Sequence, residues 1–220
     1  MNFMEKTMYK YLLFDLDGTL TDSGLGITNS VMYALSKFNI DVCDRSLLYK
    51  FIGPPLKDSF ERFYGFSDEQ AELAVKYYRD YYIKQGIYEN EVYDGIPDLL
   101  IRLKEKGKSI ILATSKPEPF AADILRHFGL YGYFDFVAGA TFDERRNKKA
   151  DIIRYVLESF DITEKASAIM IGDRYYDITG AKENGLDSLG VLFGYGSYEE
   201  LKKAGANFIA HSPADILKYL

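Results

Sequence analysis

The chain has 220 residues, 47% of them hydrophobic and 27% charged, with a formal net charge of −6. That is enough to bury a substantial core, in one large domain or in a main domain carrying a smaller one. It contains no apolar run of the roughly 18 residues a membrane span needs and no Lys/Arg cluster, which argues against a membrane or nucleic acid as partner. The single Cys43 forms no internal disulfide, and two histidines, His127 and His211, make no zinc set, so any metal must be held by oxygen ligands. Residues 1–10 lack an apolar stretch of leader length, so a cytoplasmic location is expected.

In chain order, short apolar runs flanked by turn residues predict strands at Tyr11–Phe14, Ile110–Ala113, Phe136–Ala138, Ala168–Ile171, Leu189–Phe193 and Phe208–Ala210. From Ile110 onward these alternate with helical patterns at Glu118–Phe128, Ala150–Ser159, Ile178–Asn184, Tyr198–Ala204 and Pro213–Leu220, several of them stopped by glycine. The alternation predicts an α/β fold, a doubly wound, Rossmann-like parallel sheet. The long interval between the first two strands exceeds what a crossover requires and reads as helical. Ile27, Val31, Leu35 and Phe38 mark one helix face, Leu47, Leu48 and Phe51 a second, and Leu56, Phe60 and Phe63 a third. Ser67 and Gln70 have capping-box spacing before Leu73, Ala74, Tyr77, Tyr78 and Tyr81. Residues 21–90 are therefore expected to form an inserted α-helical cap, with 1–20 and 91–220 as the main domain.

Ligands of open α/β sheets bind beyond the carboxyl ends of the strands. The first strand ends in Asp15-Leu16-Asp17-Gly18-Thr19, which puts two carboxylates on one side of an extended chain before a turn that lets backbone approach an anion. The second ends in Thr114-Ser115-Lys116, two hydroxyls and a cation suited to a phosphoryl group. The fourth ends in Gly172-Asp173, with Asp177 four residues on. Asp15, Asp17, Asp173 and Asp177 together would repel one another without a hard divalent cation, and Mg2+ suits such a set because it also accepts a phosphate oxygen. Taken structurally instead, Asp15 and Asp17 cap a turn after the strand, and Asp173 and Asp177 cap the helix that follows.

These segments resemble the four motifs of the haloacid dehalogenase-like superfamily, in order and over the whole chain. The likeness is to the phosphoglycolate phosphatase-like branch with a helical cap, and Gly194-Tyr195-Gly196 also resembles bacterial phosphatases and 5′-nucleotidases. The resemblance implies that Asp15 attacks phosphorus to give an aspartyl-phosphate, and that Asp17 acts as acid and then base while its backbone carbonyl ligates metal. It implies Asp15 and Asp173 as metal ligands supported by Asp177, Thr114 on the phosphoryl oxygens, and a lysine of the third motif balancing their charge. Gly18, Thr19, Ser115 and Lys116 complete the expected substrate site. Asn147-Lys148-Lys149-Ala150 lacks the frequent proline of that motif, so Lys148 competes with Lys149, which is preferred because it directly precedes a helix.

The implied activity is Mg2+-dependent hydrolysis of a small phosphate monoester by a monomer or weak homodimer. The alternatives are a sugar phosphomutase of the same superfamily and a non-catalytic binding protein. Tyr77, Tyr78, Tyr81 and Tyr82 read as packing, whereas Gly53-Pro54-Pro55 reads equally as a stiff turn or a specificity loop.

Overall fold

The computed structural model describes residues 9–143 and 145–220; the leader reading of residues 1–10 falls almost wholly outside them. Six parallel strands form one sheet: β1 (Tyr11–Phe14), β4 (Ser109–Pro117), β5 (Phe136–Ala140), β6 (Ala168–Gly172), β7 (Asp187–Val191) and β8 (Phe208–Ala210). Their spatial order is β5-β4-β1-β6-β7-β8. From β1 the chain builds outward through β4 to one edge, then crosses back to β6 on the other side. The carboxyl end of β1 therefore lies at the point where strand order reverses, where open α/β sheets leave a crevice.

The period-two alternation of β1 explains why both faces are covered. Leu12 and Phe14 join Ile110, Leu112, Ile169 and Ile171 in one buried cluster, which is completed by Ile96, Leu99 and Leu103 of α4 (Ile96–Glu105) and by Ile124 and Leu125 of α5 (Glu118–His127). Leu13, Ile111 and Met170 turn the other way, onto Ile152, Ile153 and Val156 of α6 (Lys149–Ser159) and Ala181 of α7 (Tyr175–Glu183). The doubly wound α/β expectation is borne out. Helices α8 (Tyr198–Ala204) and α9 (Pro213–Ile216) finish the chain, α9 ending short of the expected Leu220.

The residues between β1 and α4 are largely helical. They comprise α1 (Gly24–Ser36), a 3-10 turn at Arg45–Phe51, α2 (Leu56–Tyr64), and α3 (Asp68–Tyr81), which runs on into a π-helical turn at Tyr82–Gly86. The Ser67/Gln70 capping box forms, with Gln70 N–H donating to the Ser67 hydroxyl and Ser67 N–H to the Gln70 side chain. At the two ends of this segment, β2 (Thr21–Asp22) pairs antiparallel with β3 (Glu91–Val92) over two residues each. Among the described residues no helix is long and apolar enough to cross a membrane.

Candidate active site

Asp15 follows the last residue of β1 and is held in line by its N–H donating to the Ile171 carbonyl on β6 (2.9 Å). After it the chain turns sharply. Gly18 N–H donates to the Thr21 carbonyl (2.8 Å), and Leu20 and Thr21 N–H both reach back to Leu16. Gly18 sits at φ +82°, and a Cβ there would lie 2.2 Å from Asp173 Oδ2. Only glycine relieves both restrictions, which brings the turn against β6. The parallel pairing of β4 with β5 is interrupted between Ala113 and Pro117, and this frees Thr114, Ser115 and Lys116 from a regular ladder at the strand end.

Of the two lysines of the third motif, Lys149 is the one that reaches the acidic residues. As the first residue of α6 it is buried, and its ammonium lies 2.7 Å from Asp15 Oδ1 and 2.8 Å from Asp177 Oδ1 while donating to the Ala113 carbonyl (2.9 Å). Lys148 is exposed. Asp177 both caps α7, its Oδ2 accepting from Arg174 N–H (3.0 Å), and presents Oδ1 to the site. Asp173 is fully buried, and its Oδ2 accepts from Tyr195 N–H (2.8 Å).

Carboxylate oxygens of Asp15, Asp173 and Asp177 lie within 4.8 Å of one another. Two of the three, Asp15 and Asp177, face the single ammonium of Lys149, and Asp173 has no cation against it, so the buried cluster holds more acid than positive charge. Asp173 Oδ1 is buried without a hydrogen-bond partner. Burial pushes the Asp15 carboxyl up to about 6, Lys149 opposing and Asp177 adding to the rise. Burial, with Asp177 and Asp15 beside it, raises Asp173 far above the usual carboxylate range. Lys149 is held protonated because Asp15 and Asp177 outweigh the burial that works against its charge. An unpartnered oxygen, a shortage of positive charge and an all-oxygen donor set fit a divalent cation such as Mg2+.

Asp17 stands apart from that cluster. Its Oδ2 pairs with Lys116 Nζ at 2.8 Å, and Oδ1 has no partner. Lys116 is thus tied to Asp17 rather than presenting a free ammonium. Asp15, Asp17, Thr114, Ser115 and Lys116 form the floor of a pocket that opens to solvent. Gly18 and Thr19 lie outside its wall, and Thr19 is fully buried.

The opposite wall comes from the helices after β2, including Ile27, Phe51, Pro54, Tyr78, Arg79 and Tyr82. The tyrosines expected to be packing divide by helical spacing. Tyr78 and Tyr82 stack on each other (5.4 Å) and face the pocket, whereas Tyr77 packs on Phe38 and Tyr81 on Tyr33. Gly53-Pro54-Pro55 lines the pocket too. Two contacts were not foreseen from the sequence. Arg174 joins Glu200 (2.9 Å) to the Ile52 carbonyl (2.7 Å), and the Tyr195 hydroxyl donates to Asp22. The Gly194-Tyr195-Gly196 run was the available signal for the second, since a Cβ on Gly196 would stand 1.8 Å from the Asp173 carbonyl oxygen.

A family model for haloacid dehalogenase-like hydrolases matches residues 12–191, from β1 to the end of β7. The chain belongs to that family. Within it, the chain is 44% identical to a 5′-nucleotidase of Pseudomonas aeruginosa over 205 residues, which cover 93% of this chain and 89% of that one. It is 38% identical to the tyrosine-protein kinase PtkA of Mycobacterium tuberculosis over 202 residues, 91% of this chain and 68% of that protein. The crystal structure of a predicted phosphatase from Clostridium acetobutylicum superposes with a TM-score of 0.93 at 54% identity, over 96% of this chain and 97% of that one. The chain is an enzyme of this family's phosphatase group.

Proposed function

We propose that the chain is a cytoplasmic, Mg2+-dependent phosphatase that hydrolyses a small phosphate monoester, phosphoglycolate phosphatase-like or 5′-nucleotidase-like, through an aspartyl-phosphate on Asp15. The observation that carries the reading is the division of labour between two carboxylates on one pocket floor, Asp15 tied to Lys149 and Asp17 tied to Lys116. Asp15 attacks phosphorus, and Lys149, already against its Oδ1, aims the carboxylate and offsets the phosphoryl charge that builds beside it. Thr114, buried at the end of β4, donates its hydroxyl to a phosphoryl oxygen. Lys116 fixes Asp17 by one oxygen, so the other is left for the leaving-group oxygen, which it protonates. The same oxygen then takes a proton from the water that attacks the aspartyl-phosphate. Asp15, Asp173 and the Asp17 backbone carbonyl, with Asp177 in support, would hold Mg2+, which would supply charge neutralisation for the phosphoryl group.

In this reading residues 21–90 act as a cap over a main domain of 1–20 and 91–220, with Ser115 on the phosphoryl side of the pocket and the Gly18-Thr19 turn shaping the backbone near it. The enzyme works as a monomer or weak homodimer on a small-molecule ester.

Phosphate release with Mg2+ across nucleotides, phosphosugars and phosphoglycolate tests the proposal, alongside Asp15→Asn. The wild type should turn over at least one ester, and Asp15→Asn should lose activity by at least about a thousandfold with its fold intact. Retained turnover in that variant, or phosphate passed to a sugar hydroxyl instead of water, would overturn the mechanism.

A further inference from the structure

Three cationic side chains line the pocket: Lys57, Arg79 and Lys116. Lys116 is paired with Asp17, and Lys57 with Asp68 (2.6 Å) and Glu72 (3.3 Å). Arg79, on α3, has no carboxylate partner among the described residues. Its guanidinium carbon lies 5.3 Å from the ring centroid of Phe142, in the loop after β5. A half-buried guanidinium in a largely aromatic wall has given up water without a fixed anion in return.

The wall leading to it carries the rings of Tyr82 and Phe120, and Phe142, outside the lining itself, stands edge-on to Phe120. Lys116 Nζ lies 4.9 Å from the Tyr82 ring; Tyr82 is 5.9 Å from Phe120, and Phe120 is 5.5 Å from Phe142, edge to face. The row of contacts begins at the lysine that holds Asp17, the side of the pocket where the leaving-group oxygen is protonated, and ends at Arg79. A glycolate leaving group has no ring to lay against it. A flat ring does, because aromatic faces accept any stacked ring. A guanidinium offers five donors in a planar fork and no acceptor, so the far edge of that ring must present acceptors. Guanine and hypoxanthine present O6 and N7 together, whereas adenine puts an amino donor where O6 would be.

We propose that Arg79 is a specificity-determining residue that binds the oxo-bearing base edge of a purine-nucleoside leaving group packed against the Tyr82 and Phe120 wall, which makes 6-oxopurine nucleoside 5′-monophosphates the favoured esters. The proposal rests on the phosphatase reading above and names its substrate class.

The test is steady-state phosphate release from GMP, IMP, AMP, phosphoglycolate and phosphotyrosine by the wild type, Arg79→Ala and Arg79→Lys, each first shown to melt cooperatively. The wild type should favour GMP and IMP over AMP. Arg79→Ala should lower the GMP-to-AMP ratio of kcat/KM by about tenfold, mainly through KM, and Arg79→Lys should recover only part because a point charge cannot make the forked contact. A ratio unchanged in Arg79→Ala overturns the assignment, as does a wild type that prefers AMP, phosphoglycolate or phosphotyrosine. Release from none of the esters by folded wild type would defeat the phosphatase reading and this assignment with it, whereas release with an unaltered preference defeats the assignment alone.

Discussion

Replacing Lys149 by methionine keeps the length of the side chain and removes the ammonium that faces Asp15 and Asp177. In the metal-free protein this leaves Asp15 and Asp177 buried with no cation against them, beside the equally buried Asp173. Removing one partner of a buried ion pair costs about 3–5 kcal/mol, because the other charge stays desolvated. For a chain of this length each kcal/mol lowers Tm by about 2–4 °C, so Lys149→Met should melt some 6–20 °C below the wild type in EDTA. Saturating Mg2+ should return part of that loss, since a divalent ion supplies charge to the same cluster. The matched control is Lys148→Met, whose side chain is exposed and whose stability should stay within about 0.5 kcal/mol of the wild type. Thermal and urea melts of both variants, with and without Mg2+, provide the comparison. A loss under about 1 kcal/mol for Lys149→Met in EDTA, or an equal loss in the two variants, would refute the account of a charge-starved acidic cluster held by one lysine.

The pH dependence of the metal-free protein has a definite sign. Asp15 rises from 3.8 to about 6 on folding, so the folded state holds its proton more tightly, and the stability this confers is full below about pH 4 and lost as pH climbs through about 6. The shift corresponds to about 3 kcal/mol, and melts from pH 4 to 7.5 should show Mg2+ raising Tm by an amount that grows across the same interval; a Tm increment flat with pH would count against it. Gly18→Ala should weaken Mg2+ binding measured by titration calorimetry and lower stability by more than about 1 kcal/mol, because the added methyl meets Asp173 Oδ2 in a left-handed backbone. Unchanged Mg2+ affinity in that variant would show that the turn does not hold Asp173 in place.

The sequence was most informative where a strand is apolar along its length. Tyr11–Phe14 and Phe208–Ala210 form as read because local composition and burial agree there. The strand expected at Leu189–Phe193 instead spans Asp187–Val191. Asp187 and Ser188 enter the ladder because distant groups satisfy them: the Tyr9 hydroxyl donates to Asp187, and Ser188 N–H donates to Asn207. No local pattern carries such pairings. Helix α7 begins at Tyr175, three residues before the apolar period starts, because Asp177 caps it from inside the site. Strand-end residues Asp15, Asp173 and Thr114 were legible as a set because each directly follows a buried apolar run, where a polar side chain adds nothing to the core and faces the crevice of the sheet. What faces the substrate from the other side was not. Tyr78 and Arg79 look like any tyrosine and arginine on a polar helix, and only the approach of α3 to the floor of the pocket gives them a role.

The two-residue β2–β3 ribbon gathers the entry and exit of an entire helical segment to one spot. The helical residues that line one wall of the pocket lie between the two strands of that ribbon, and the acidic cluster lies outside them. With residues 21–90 acting as the cap proposed above, that segment would be an exchangeable part. A different set of helices, spliced in at its two ends, would give a new selectivity without altering a single reacting group.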